Sequence, residues 1–427
     1  MKTDQIQKVH KDWYKLDLSA IVYPTLQRRD FSSVYRLSVL LKEDIDPEIL
    51  QRAVNLTMPR FPTYKAAIRK GVFWRYLEPN DRPGPFVQED VKNPCQPMHF
   101  KGNNRYLVRI YYYRNRIALE AHHSLGDGTG GMCVLQTLTA TYLRLKGHSE
   151  IENGGFVLDI LGIPDPGELE DAYMKYANAK VCPPRPGEKT YRVRGTKEPF
   201  YTLNIIDGIM SVSEVMRVAK SYNATITEYL NSVLLYALMR KQESEWHLKL
   251  RPVKIAMPVN LRRFFPSRTL RNFITMIYPG IDPRLGEYTF EEIVTQVHNY
   301  MRYYLNEKLL RGDITTNAET QRNPFIRIVP LFIKDLVVRQ FYTKIQDKNS
   351  SAGLTNMGAL KVPETMKPYI ERFDIYMGQP FSTRTNCAIA SFEDILTINF
   401  ASSIAETDVE RLFFRKLVQD GIHVKIE

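Results

Sequence analysis

The residues with the clearest capacity for chemistry in this 427-residue chain stand together: His122, His123, Ser124, Leu125, Gly126, Asp127 and Gly128. They follow Ile117, Ala118, Leu119, Glu120 and Ala121, the second half of an apolar hairpin that begins at Arg105 and turns near Arg114 and Asn115. Strand side chains alternate between faces, so Ile117, Leu119, Ala121 and His123 share one face, while Ala118, Glu120 and His122 share the other. His123 extends the apolar row, either as a hydrogen-bonded core histidine or as a base at the mouth of a buried site. Gly126 and Gly128 allow a tight turn around Asp127, and the helix that follows directs its positive N-terminal end at the same corner.

Other chemistries fit this segment poorly. Consecutive strand residues face opposite ways and do not readily chelate one ion, and no HExxH spacing occurs. Ser124 lies outside any GxSxG elbow, and the run GDGTGG lacks the lysine and the spacing of a phosphate loop. Cys95, Cys133, Cys182 and Cys387 are too sparse and irregular for a disulfide framework or a thiolate metal site, which points to reduced thiols in a cytoplasmic protein. A lone histidine base is left.

Elements of both kinds must position that base. Ser32 to Lys42 reads as a strand, and the segment from Asp46 reads as a helix with Ile49, Leu50, Ala53 and Val54 on its apolar face. The helix from Thr129 to Lys146 places Met132, Leu135, Leu138, Tyr142 and Leu145 three and four apart, and Gly147 closes it. Residues 182–200 combine Pro, Gly and charge without periodicity, so they read as a linker between an N-terminal lobe, 1–181, and a C-terminal lobe, 201–427. The second lobe opens with a strand from Tyr201. A helix capped by Ser211 with Glu214 follows, then a strongly apolar helix from Thr225 and a strand ending at Leu261. One long amphipathic helix is expected from Tyr288 to Arg311, and short strands around Asp374–Gly378, Cys387–Ser391 and Ile395–Ala401. Both lobes mix strands with helices, as sheets covered by helices do.

With 44% hydrophobic and 25% charged residues, the composition excludes a disordered, collagen-like or coiled-coil chain. The start has no apolar run before a small-residue cleavage site, and no window has the roughly 18 to 20 apolar residues of a membrane span, so a soluble protein is expected. A net charge of +12 suggests an anionic partner, but the basic residues are scattered among acidic ones, which argues against nucleic acid. The stretch from Pro324 to Lys348 mixes apolar residues with Arg327, Lys334 and Arg339. It suits either a peripheral membrane contact or a core or tunnel-lining helix, and the latter reading is adopted here.

The motif HHSLGDG resembles the HHxxxDG signature of the chloramphenicol-acetyltransferase-like acyltransferase superfamily, which also includes condensation domains. Pro258-Val259-Asn260-Leu261-Arg262-Arg263 and Thr269-Leu270-Arg271-Asn272-Phe273 are similar to its arginine strand and Asn-Phe segment. Thr355-Asn356-Met357-Gly358 resembles a strand of its alcohol-acetyltransferase members. No DFGWG motif is present, which favours the bacterial alcohol-acetyltransferase-like branch, and because condensation domains of the family are usually embedded in longer synthetases, a free-standing acyltransferase is expected.

The resemblance implies an α/β fold of two lobes, each a mixed sheet packed with helices, with an active-site tunnel between them. It assigns His123 as general base, with a pKa near 7, for acyl transfer from CoA to an alcohol. His122, Asp127 and Gly128 would hold the loop, with Arg262 as the partner of Asp127. Asn356 would contact the oxyanion or the acceptor. Acyl-CoA is the implied co-substrate, with no permanently bound cofactor and no metal. The competing readings are a carrier-protein-dependent, condensation-type amide or ester synthase, and a member that binds acyl ligands or a protein without turnover.

Overall fold

The computed structural model describes residues 13–27, 31–91, 93–179, 188–245, 247, 249–378 and 383–427. The first half runs β1 (Tyr14–Lys15), α1 (Val22–Leu26), β2 (Val34–Leu41), α2 (Pro47–Thr57), β3 (Ala66–Lys70), β4 (Arg75–Pro79), β5 (Val87–Glu89), β6 (Val108–Tyr113), β7 (Arg116–His122), α3 (Gly128–Leu145) and α4 (Ala172–Tyr176). Helix α2 begins where Asp46 accepts from the backbone N–H of Glu48 and Ile49, and Pro47 supplies a pre-set first turn. Helix α3 is capped by Asp127 and buried on nearly every side, packed on β2 and α2.

The second half runs β8 (Asn204–Ser211), α5 (Val212–Ser221), α6 (Ile226–Ser244), β9 (Val253–Asn260), β10 (Ile274–Ile277), β11 (Gly280–Ile281), α7 (Phe290–Tyr304), α8 (Glu307–Arg322), α9 (Pro324–Ile328), α10 (Leu331–Asn349), β12 (Ala352–Ala359), β13 (Ile370–Met377), β14 (Thr385–Phe392), β15 (Ile395–Ser402), α11 (Asp408–Gln419) and β16 (Lys425–Ile426). Reciprocal Thr-Glu capping boxes start α6 at Thr225 and Glu228 and α7 at Thr289 and Glu292.

Two main sheets result. Five strands in the order β13-β2-β7-β6-β5 form the first, and the second follows β10-β9-β12-β14-β15-β8-β16 with β11 beside β9. The pairs β5–β6, β9–β12 and β12–β14 are parallel and the others antiparallel, so both sheets are mixed. A small sheet, β1-β4-β3, flanks the first. Each main sheet has its own apolar core, around Leu37, Leu119 and Leu135 in the first and Leu234, Ile255 and Ile398 in the second.

Three features differ from expectation. Strand β13 belongs to the C-terminal half yet pairs with β2 along its whole length, so the division at 182–200 does not separate the sheets. Its apolar Phe373 and Ile375 fill the first core, while Thr397 and Asn399 of β15 bond its backbone, so one strand serves both sheets. Residues 188–200 form no helix or strand of their own, and Cys182 lies outside the described residues; Cys95, Cys133 and Cys387 are buried free thiols.

The expected long helix from Tyr288 is two helices. Asn306 breaks it by accepting from Leu309 N, which caps α8 in place of continuing α7. The stretch from Pro324 is two helices, and its described side chains, through Gln340, do not form a core helix. Leu331 is buried there, but Phe325, Ile328, Phe332, Leu336 and Val337 lie at the surface. Among the described residues, no helix is long and apolar enough to cross a membrane.

Candidate active site

Strand β7 is flanked by β2 and β6, and His122 ends it opposite Val34. The ladder continues one step further, where His123 N donates to Ser33 O at 2.8 Å. The chain then turns, with Leu125 N donating to His122 O, and enters α3.

His123 is half-buried between two phenol rings. Tyr23 of α1 stacks on the imidazole at 4.7 Å between centroids, and Tyr35 of β2 lies tilted against it at 4.6 Å. Its Nδ1 is buried without a hydrogen-bond partner. An imidazolium would gain no acceptor at Nδ1. Burial therefore pushes the pKa of His123 down to about 4, with the charge of Asp127 opposing only in part. The ring is neutral near pH 7, well below the expected value because the flanking rings exclude water.

His122 is fully buried on the other face. Its Nδ1 accepts from Ser124 N at 3.2 Å, its Nε2 has no partner, and the edge of Phe100 meets the ring at 5.5 Å. Burial, with a smaller contribution from His123, pushes its pKa down to about 3. Glu120 on the same face receives Arg36 Nε, Arg109 Nη1 and Cys95 N, and Arg36 also pairs with Asp90.

Asp127 is saturated by five N–H donors. Arg262 grips it bidentately at 2.8 and 3.3 Å, the N-terminus of α3 donates through Thr129 N and Gly130 N, and Phe273 N approaches to 2.9 Å. Asn260 caps the short turn Leu261–Arg263 and so aims Arg262, whose other hydrogens go to Asn260 Oδ1, Thr269 O and Arg271 O. No lone pair of Asp127 is left over for His123. The pair fastens the histidine loop to the second half of the chain, and Asn260 Nδ2 adds a bond to Thr129 Oγ1.

The glycines act through close approach. Gly126, Gly128, Gly130 and Gly131 all have φ outside the left-handed region, contrary to the turn-making role expected of the first two. A Cβ on Gly126 would lie 2.5 Å from both Leu270 O and Tyr64 Oη, and one on Gly130 only 1.9 Å from Leu270 O. At Gly128 it would meet Met357 Sδ at 3.1 Å, so β12 lies against the start of α3.

Asn356 sits on β12 beside Met357. Its Nδ2 donates to Thr227 Oγ1 at 2.9 Å and its Oδ1 accepts from Gly358 N at 2.7 Å, where Gly358 has φ +72. One hydrogen of the amide remains uncommitted by these bonds.

Sequence reasoning did not name Tyr23, Tyr35, Asp17 or Asn272 as site residues. Asn272 Nδ2 donates to His123 O at 2.8 Å and to Asp17 Oδ2 at 3.2 Å, and its Oδ1 is buried without a partner. Asp17 is buried, and burial pushes its pKa up to about 6 although Arg271 lies 3.6 Å away. The signal for Asn272 was present in the segment from Thr269 to Phe273. The two tyrosines and Asp17 carry no local pattern. Among the described residues, no group of three or more His, Cys, Asp or Glu side chains could hold a metal ion.

No family model and no curated protein matches the chain. Solved structures do. Polyketide synthase associated protein 5 from Mycobacterium tuberculosis superposes with a TM-score of 0.57 at 14% identity, over 94% of this chain and 96% of that one. Trichothecene 15-O-acetyltransferase from Fusarium sporotrichioides gives 0.58 at 13% identity, over 95% and 94%. The chain has the fold of these proteins. The starter condensation domain of rhizomide synthetase, solved with C8-CoA and Leu-SNAC, gives 0.61 at 11% identity over 98% and 96%, so this is the two-lobed acyltransferase and condensation-domain fold.

Proposed function

We propose that this protein transfers an acyl group from a CoA thioester to an alcohol, with His123 as general base. The observation that carries the reading is the state of His123: neutral, half-buried between Tyr23 and Tyr35, and anchored through its own backbone by Ser33 and Asn272. Nε2 takes the proton of the acceptor hydroxyl as the oxygen attacks the thioester carbonyl carbon. The tetrahedral intermediate then collapses, the C–S bond breaks, and Nε2 returns the proton to the departing thiolate. A low imidazole pKa suits the second step, because the imidazolium is a strong acid beside a thiolate. No covalent enzyme intermediate is formed, so alignment of the two substrates supplies much of the acceleration.

Asp127 and Arg262 hold the loop, and His122 and Gly128 seat it. The uncommitted hydrogen of Asn356 is the contact proposed for the oxyanion or the acceptor. The acetyltransferase and the CoA-bound condensation domain of the same fold support acyl transfer and a CoA donor. Acetyl-CoA and longer acyl-CoAs, offered with a panel of alcohols and amines and read by mass spectrometry, test the reading. An ester product with stoichiometric release of CoA is expected. Turnover only with an acylated carrier protein, or none with any donor, overturns it.

A further inference from the structure

Helices α9 and α10 invert the usual arrangement of a surface helix. Their polar residues hold the protein: Asp335 receives Arg75 and Thr25, Arg339 donates to Thr25 O, and Lys334 reaches Phe73 O. Their apolar residues face outward. Phe325 (79% exposed) and Ile328 (69%) stand three apart on α9, and Phe332 (69%) and Leu336 four apart on α10, all turned outward. The turn between β3 and β4 adds to this face, because Leu331 N donates to Val72 O and both Val72 and Trp74 are exposed. An exposed apolar face of this kind marks an interaction surface.

The charges around the face select its partner. Among the described side chains, Arg69, Lys70, Arg75, Arg327, Lys334 and Arg339 stand on these elements against Glu78 and Asp335; Arg69 pairs with Glu78 and Arg75 with Asp335, while Lys70 and Arg327 are exposed. A second copy seated symmetrically here would press like charges together. A lipid surface bearing anionic headgroups meets both requirements, with the apolar side chains below the headgroups, Trp74 at their level and the exposed Lys70 and Arg327 among the phosphates.

We propose that this face docks on an anionic membrane surface. Its placement has a further meaning that rests on the acyl-transfer reading: α10 is bonded to Thr25, two residues from the Tyr23 ring that stacks on His123. An apolar acceptor or acyl donor dissolved in the lipid would then enter beside α1.

The test is flotation of the full chain with vesicles of phosphatidylcholine alone or with 30% phosphatidylglycerol (about a third of the lipid, a typical charged mixture), without any acyl donor. Binding to the anionic vesicles, weakened by salt, is expected. Arg327→Gln should lower it about fivefold, and Ile328→Ser with Phe332→Ser and Leu336→Ser by about 10²-fold or more, with the melting temperature held because these side chains are exposed. Brominated lipid should quench the wild-type emission that Trp74→Phe removes, a readout that needs no folded triple variant. Absence of flotation, equal flotation of the triple variant, or a dimer that the triple variant dissolves without any vesicle binding each overturns the proposal. Because no acyl donor is present, failure here leaves the proposed reaction standing, and failure of the reaction leaves vesicle binding intact.

Discussion

Replacing Asp127 with alanine removes the acceptor of five N–H donors at once. The Arg262 side chain is only 12% exposed, so its charge stays buried without its counter-ion. Loss of one partner of a buried pair costs about 3 to 5 kcal/mol, and the three carbonyl-type acceptors that Arg262 keeps place this case near the lower end. Loss of the cap of α3 adds about 1 kcal/mol. Phe273 N is left bare in a buried position, at about 1 kcal/mol or more. The terms share one residue and overlap, so a total of about 4 to 5 kcal/mol is expected. Urea titration followed by far-UV circular dichroism measures it. Asp127→Asn keeps an oxygen for the cap and loses the charge, so about half that loss is expected. Turnover should fall with the folded fraction. A variant with the wild-type urea midpoint and at least a thousandfold loss of kcat would refute the reasoning and make Asp127 a participant in the chemistry.

His123→Ala should lower kcat/KM by about 10² to 10⁴ with the fold intact, whereas His122→Ala should act on thermal stability by removing the acceptor of Ser124 N; a larger kinetic loss at His122 would contradict the face assignment. Because the base is the neutral ring and its pKa is lowered to about 4, kcat/KM should fall only as pH drops through about 4; at pH 5.5 it should keep about 97% of its plateau, against about 10% for an unperturbed histidine. A lowered histidine pKa also removes stability as pH falls from about 6.5 toward 4, so the rate profile is paired with a melt at each pH. Asn272→Ala leaves His123 O and the Asp17 carboxylate each short of a donor, at about 1 to 3 kcal/mol by urea titration; a stability unchanged within about 0.5 kcal/mol would deny that bond a structural role.

Local periodicity carried most of the fold. The alternation through β7 and the three-and-four spacing of α3 both sit on patterns that a short window contains, and their ends agree with the structure to within a residue or so. Long-range pairing was not legible. Nothing between Ile370 and Met377 says that this strand will lie beside β2 rather than in the second sheet. The apolar stretch from Phe325 misled for a related reason, since its composition fits a core helix and only the bonds of Asp335 and Arg339 to Thr25 and Arg75 decide which side faces in. In the site, the bidentate fit of Arg262 on Asp127 is a contact between segments 135 positions apart, and its geometry was invisible to spacing. The rings around His123 come from α1 and β2, and neither has a sequence signature.

The seat of β13 sets the order in which the molecule can be finished during synthesis. Tyr35, which flanks His123, lies on β2 directly opposite Met377. A nascent chain has emitted the whole histidine motif by residue 128, yet the open side of β2, with buried Leu37 and Val39, has no neighbour until Met377 clears the ribosome some 250 residues later. For that interval the ribosome carries an apolar strand edge of the sort that recruits foreign strands. Chaperone occupancy during translation should therefore rise after β2 emerges and fall only once β13 has been made.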